Sequence, residues 1–428
     1  IKDILERNPC ARILVSSKEH LALDHLCNRV RETLDDSFDV VRINNSEASE
    51  LESDLDSRVL PEEMTKQMLN QLSISNSIMK EMKKTATWIE NLAIRTASVV
   101  CVTSLDREFE HLQNSQMTFD FAIIEEAGKS YPSELIGPIS VSMCTLLIGD
   151  QMQLPPFELE RISSVVDECI DEGIKLQKNI GERTIEWELV GISTPIWDID
   201  TPQWQNNTKD QIVRWLQPFN LIHEITRGDI LSNQWRMFPS LSDAVGQIFY
   251  RKKFKIKKQN RISDNQLPGI FRECSSRLIF KNSDGKESKL NNSYCNKEEA
   301  KIASKNLIEL LEEGHEAITI TPYKGQVEEI RNNLPKKYRE MVRTVDGFQG
   351  KEADFIILSL VRNNDRTGAS RRWGFFRDPR RINVALSRAR EGILLVSSKN
   401  HIENTDWSTD EGQLVTFLNQ IKKNYDFF

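Results

Sequence analysis

No run of about 18 or more apolar residues occurs in this 428-residue chain, so no membrane-spanning helix is expected. Cysteine is sparse and scattered: the seven residues form no C-x-x-C pair and no metal-ligand spacing with the six histidines. Neither zinc nor a disulfide framework is expected, and a reducing intracellular compartment, cytoplasmic or nuclear, fits that usage. The opening stretch, "IKDILERNPCARILVSSKEH", has charges scattered through it and does not read as a signal peptide. There is no excess of positive charge. The net charge of -7 argues against a protein that coats nucleic acid by bulk attraction, though it leaves room for a basic groove on an acidic body. No short-period repeat and no low-complexity tract is present.

What is present reads as an α/β protein. The composition, 39% apolar and 28% charged, supports a sizeable core. The length suggests two or three domains at roughly 100–200 residues each. Apolar strand-like runs at 11–17, 39–43, 97–104, 119–124 and 144–149 alternate with helical patterns, and the rhythm resumes at 316–323, 341–345, 353–361 and 392–398. In the first helical pattern, 18–34, Leu21, Leu26, Val30 and Leu34 fall near helical spacing. Near-continuous apolar strands joined through helices predict parallel sheets covered on both faces. Two tandem α/β domains follow, 1–225 and 226–428. A polar, helical stretch over about 45–95 reads as an insertion in the first domain. A long connection over about 158–220 holds Trp187, Trp197, Trp204 and Trp215, which read as local core before base-stacking platform.

The chemistry concentrates where strands end. In "FAIIEEAGKS" (121–130) a buried strand ends in Glu125 and Glu126, two like charges side by side. The carboxyl ends of the strands are where an α/β sheet places its ligand. "GDQMQLPP" (149–156) follows the next strand with Asp150 and Gln153. Three later clusters follow: "LSNQWRMFP" (231–239) with Arg236 just before a helix, the glycine-bracketed "VRTVDGFQGKEADFIILSLV" (342–361), and "DPRRINVALSRAREGILLVSS" (378–398), which predicts Arg388 and Arg390 on a short helix. Carboxylates in one domain and arginines in the other point to a nucleotide, with magnesium on the carboxylates and arginines neutralising charge on the phosphates.

These segments, in this order, resemble a superfamily 1 helicase of the branch that holds the nonsense-mediated-decay helicase and senataxin. "VSSKEHLALDHL" resembles motif Ia, "IIEEAG" motif II, "GDQMQLPP" motif III, and "NQWRMFP" the Q-Y-R-M-x-P motif. "TPYKGQ", "TVDGFQGKEADFIILS" and "RINVALSRAR" resemble motifs IV, V and VI. The resemblance covers about 1–43, 97–157 and 221–400. It implies two RecA-like domains with ATP hydrolysed in the cleft between them, and motion 5′ to 3′ on single-stranded RNA or DNA.

It also implies roles. Glu125 coordinates magnesium, Glu126 orients or activates the attacking water, and Gln153 senses the γ-phosphate with Asp150 supporting its loop. Arg236 and Arg388 are arginine fingers. Glu352, beside Gly350, meets the ribose, and Trp235 takes the place of the family's tyrosine against adenine. Ser16, Ser17, Thr103, Thr321, Pro322 and Tyr323 contact the nucleic-acid backbone, which carries no sequence code. "RKKFKIKK" (251–258) reads first as a solvated face, then as a nucleic-acid track.

The chain departs from the pattern twice. The first acid of motif II is glutamate where aspartate is usual, which moves the oxygens by about 1.5 Å. No G-x-x-x-x-G-K-[ST] phosphate loop is present. In the family that loop lies upstream of motif Ia, so the expectation is a chain that begins after it and hydrolyses ATP poorly by itself. Two readings stand. One is a motor, alone or serving a larger protein with further domains. The other is a nucleic-acid-binding or scaffolding module of the same fold whose ATPase has decayed.

Overall fold

The computed structural model describes residues 1–34, 37–43, 55–64, 67, 92–104, 108–114, 116–159, 161–169, 210–226, 228–257, 262–348, 351–367 and 369–405. Contacts divide the chain into two compact units, Ile1–Gln151 with Pro155–Gly228, and Met152–Leu154 with Asp229–Phe428. Most of the insertion at 45–95 and of the connection at 158–220, including Trp187, Trp197 and Trp204, lies outside the described residues.

The first unit is built on five parallel strands: β1 (Ile13–Ser17), β2 (Val40–Arg42), β3 (Val99–Thr103), β4 (Phe119–Glu125) and β5 (Ser142–Leu147). Their order across the sheet is β2-β3-β1-β4-β5, every pair parallel. The apolar runs are buried on both faces as expected. Ile13 and Val15 join one core cluster and Leu14 the other, and along β3 Val99 and Cys101 alternate with Val100 and Val102 in the same way. Helix His20–Leu34 covers one face through Leu23, Cys27, Val30 and Leu34. This corrects the stripe read from sequence: Leu21 is 46% exposed, and the face has turned so that Cys27 takes an inner position. β5 behaves differently. Among the described residues it is an edge strand, and Met143 and Leu146 are 83% and 56% exposed.

The second unit has strands β6 (Asn233–Gln234) and β7 (Lys255–Ile256), a parallel pair that places Arg251–Lys257 beside the QWRM segment. Its main sheet contains β8 (Leu278–Asn282), β11 (Ala317–Thr321), β12 (Val342–Thr344), β13 (Ala353–Ser359) and β14 (Ala389–Ser397), with a short antiparallel hairpin of β9 (Ser288–Leu290) and β10 (Ser293–Cys295). The order is β12-β11-β13-β14-β8, all parallel. Both faces of the central strands are covered. Phe355 and Ile357 face helix Lys297–Glu312, whereas Ile356 and Leu358 share a cluster with Trp373 and Phe376. Each such buried side chain contributes about 1.5–3 kcal/mol relative to exposure.

Two sequence readings are corrected in this unit. β8 was not anticipated, because only Leu278, Ile279 and Phe280 are apolar in its neighbourhood. Arg388 and Arg390 are not on the helix. It ends at Leu386, with Ser387 as its C-cap, and parallel pairing of Ala389 with Ala353 draws the chain straight into β14. Arg388 lies in the connecting turn and Arg390 in the strand.

Candidate active site

In the first unit, strand register brings three site residues into one row. Ser17 is level with Thr103 on one side and Glu125 on the other, at the carboxyl ends of β1, β3 and β4. Ser16, Ser17 and Thr103 are buried. Ser16 Oγ is 3.2 Å from Ser104 Oγ, and the buried Ser17 Oγ has no hydrogen-bond partner among the described residues. Glu125 closes β4 with its carboxyl held above its ordinary range, first by burial and then by Glu126, with Lys129 opposing. Glu126 follows in the left-handed conformation, φ 55°, and opens the turn Ala127–Lys129. A non-glycine residue there is uncommon and costs energy that the surroundings must supply.

Those surroundings are the "GDQMQ" loop. Ala127 N–H donates to Ile148 O at 2.9 Å. A Cβ on Gly149 would lie 2.7 Å from the backbone nitrogen of Gly128, and one on Gly128 would lie 3.1 Å from Asp150 O. Motif II and the start of motif III are therefore packed backbone to backbone, which only glycine permits. Gly149→Ala is expected to destabilise the first unit by about 1–3 kcal/mol, the usual cost of overpacking. Chemical denaturation reads it; an unchanged midpoint would contradict the close approach.

The second unit gathers another group at the amino ends of β13 and β14. Glu352 immediately precedes β13, and Arg388 precedes β14 and accepts a hydrogen bond from Ala353 N at its own carbonyl, 3.2 Å. Arg236 pairs with Glu352 through Nε and donates from Nη1 to Ser387 O at 3.2 Å. Arg388 is buried, and its Nη2 donates to Gln153 Oε1 at 3.2 Å. Gln153 belongs to this unit through the segment Met152–Leu154. Met152 O accepts from Asn383 Nδ2 at 2.7 Å, and Leu154 enters the core. Trp235 stands 67% exposed beside Arg236, an accessible ring face. Gly350 lies outside the described residues; Asp150 remains in the first unit.

At the opposite, carboxyl end of the same sheet sit Thr321, Pro322 and Tyr323. Thr321 and Pro322 are buried, Thr321 Oγ1 without a partner among the described residues. Tyr323 is half-buried, and its hydroxyl accepts from Arg362 Nη1 at 3.2 Å and from Phe375 N at 3.3 Å. Arg362 lies 4.4 Å over the ring of Tyr294 and pairs with Glu287 at 2.9 Å. Sequence reasoning missed Tyr294 and Arg362. Their only signal was an aromatic and an arginine in otherwise ordinary segments.

Comparison with known proteins decides the family. Two family models, each described as an AAA domain, match residues 63–160 and 219–400. The regulator of nonsense transcripts 1 of Dictyostelium discoideum is 28% identical over 417 residues, 90% of this chain and 27% of that protein. The ATP-dependent helicase NAM7 of Saccharomyces cerevisiae is 26% identical over 426 residues, 93% of this chain and 38% of that protein. Helicase sen1 of Schizosaccharomyces pombe is 25% identical over 388 residues, 87% of this chain and 20% of that protein. The chain belongs to the superfamily 1 helicases. It falls on the branch of the nonsense-transcript regulators and sen1, and spans well under half the length of each of these relatives.

The acid pair suits magnesium. Carboxylate oxygen is the donor that ion takes, and it commonly uses only one or two protein carboxylates beside substrate phosphates and water. Among the described residues no group of three or more His, Cys, Asp or Glu could hold a metal. No described helix is long and apolar enough to cross a membrane.

The structure also adds Lys129, which the sequence reading passed over. It is buried, and its Nζ lies 3.1 Å from Glu126 Oε2. Its neighbour Lys18 bonds Glu134 at 2.9 Å and the Lys129 carbonyl at 3.2 Å.

Proposed function

We propose that this chain is the motor of an ATP-dependent helicase or translocase that moves 5′ to 3′ on single-stranded nucleic acid. The observation that carries the reading is the contact of Arg388 with Gln153. Residues 235 positions apart, each from a separate helicase motif, meet at 3.2 Å. A glutamine that reads the terminal phosphate and an arginine that neutralises it need to be neighbours.

The residues then divide the work. Glu126 accepts a hydrogen bond from the attacking water and aligns it. Arg388 and Arg236 place guanidinium charge against the phosphoryl group, where catalysis is mainly positioning and electrostatics. Arg236 rests on Glu352 in an ion pair that is about two-fifths exposed. Such pairs are worth about 0–1 kcal/mol, so a ribose hydroxyl displaces Glu352 from it readily. Trp235 offers its ring to adenine. Glu125 would hold magnesium, which when bound offsets phosphate charge. Ser16, Ser17, Thr103, Thr321, Pro322 and Tyr323 line the strand ends toward which we assign the nucleic-acid backbone. Regulation of nonsense transcripts among the relatives favours RNA.

The second reading, a binding or scaffolding module of this fold with a decayed ATPase, is favoured by one observation: the first acid of motif II is Glu125, where aspartate is usual. One assay separates the two. In the full-length protein containing this chain, single-stranded nucleic acid should stimulate ATP hydrolysis, and Glu126→Gln should lower it at least about 100-fold, the usual contribution of a positioned base. Single-strand binding without hydrolysis in the unsubstituted protein would leave the binding module instead.

A further inference from the structure

Two adjacent carboxylates need a cation, and in this chain one is already built in. Lys129 Nζ sits 3.1 Å from Glu126 Oε2 and 3.8 Å from Glu19 Oε1, with its side chain only 8% exposed. An ammonium at that depth is tolerated only when paired. The pairing is fixed by the backbone as well. Lys129 N–H donates to Glu126 O at 3.0 Å, closing the tight turn, and Lys18 Nζ holds the Lys129 carbonyl at 3.2 Å. The close approach of Gly128 to Gly149 and Asp150 leaves that turn little room to open. The lysine is thus held on the second acid by contacts on several sides.

A lysine is not needed here for packing. Its aliphatic stem is buried, but a methionine fills the same space. What only lysine or arginine supplies is fixed positive charge beside Glu126 and near Glu125. That charge has two consequences. It keeps the Glu126 carboxylate in one place, so the acid cannot swing to share a metal with Glu125. It also repels any second cation brought to Glu125.

We infer that Lys129 is a positioning residue: an internal counter-cation that fixes Glu126 for its encounter with water and weakens divalent-cation binding at Glu125. The inference rests on the roles given above to Glu125 and Glu126, and it makes this helicase more dependent on nucleotide phosphates to retain its metal.

The test is a titration of the intact protein with Mn²⁺ as probe, free ion read by electron paramagnetic resonance, without nucleotide. Lys129→Gln should bind Mn²⁺ about 10-fold more tightly than the unsubstituted protein, since it removes a like charge held close to the metal-binding acid at a partly desolvated site. Lys129→Arg should restore the original affinity. Adding Glu125→Gln to Lys129→Gln should abolish the gain. Lys129→Met, which keeps the buried stem, gives the same readout should Lys129→Gln fail to fold. A residue that merely supports the fold produces no gain in metal affinity. Equal Mn²⁺ affinity in the folded Lys129 variants and the unsubstituted protein would overturn the inference, while ATP hydrolysis in that protein would still stand. A gain of Mn²⁺ binding with no hydrolysis in any form would uphold Lys129 and remove the motor.

Discussion

Arg388→Ala is expected to lower nucleic-acid-stimulated ATP turnover about 1000-fold, the lower end of what an arginine finger supplies. Single-strand affinity should stay within a few-fold, because Arg388 sits at the amino end of β14, away from Thr321 and Tyr323 at the carboxyl end of the same sheet. Arg388→Lys should recover little. Lysine offers a point charge without the planar fork that holds Gln153 at 3.2 Å. Gln153→Ala in the Arg388→Ala background should add almost nothing, since the two act as a unit. Steady-state kinetics with kcat and KM resolved reads all three. Activity within tenfold of the parent in Arg388→Ala would remove that residue from the reacting phosphate.

The second large effect is a pH dependence of stability. Glu299, on helix Lys297–Glu312, is fully buried, and its Oε2 accepts from Ser359 Oγ at 2.6 Å and from Val361 N at 2.8 Å. Burial lifts its carboxyl from 4.5 to about 8, against the pull of those two hydrogen bonds; Glu298 adds to the rise. The folded chain therefore keeps a proton that the unfolded chain has lost at neutral pH. The stabilisation is complete below about pH 4.5, declines by up to about 1.4 kcal/mol per unit as pH rises, and is gone above about 8.

Glu299→Gln carries no titrating proton. Between pH 5.5 and 7.5 its stability relative to the parent should improve by about 2–3 kcal/mol, measured by urea denaturation at both values. Parallel pH profiles would show that Glu299 titrates normally. The residue matters because it anchors Val361, a β-branched residue at φ 71°, just before Arg362 turns onto Tyr294 and Tyr323.

Much of this was legible in the residues. Strands such as "ILVSS", "VVCVT" and "FIILS" are buried on both faces, and a continuous apolar run shows that without any partner in view. The order of polar clusters at their ends carried the family. What stayed hidden depended on register or on turns. β8 has only Leu278, Ile279 and Phe280 to mark it, followed by Lys281 and Asn282. Arg388 left its helix because strand pairing with Ala353 outweighed helical continuation. Leu21 and Cys27 exchanged roles through a small rotation of one helix, which a 3.6-residue period does not fix at its ends. Lys129 reads as an ordinary charged residue until the left-handed turn at Glu126 folds it back onto the acid.

The outer flank of β5, unpaired among the described residues, has a consequence for handling the protein. A strand reading "SMCTLL", with Met143 and Leu146 open to water and a row of backbone donors and acceptors on its outer side, is a template for another strand. It carries no lysine, proline or bulge to blunt it. Left uncovered, that flank is adhesive, and strand addition along it offers a route to association at high concentration.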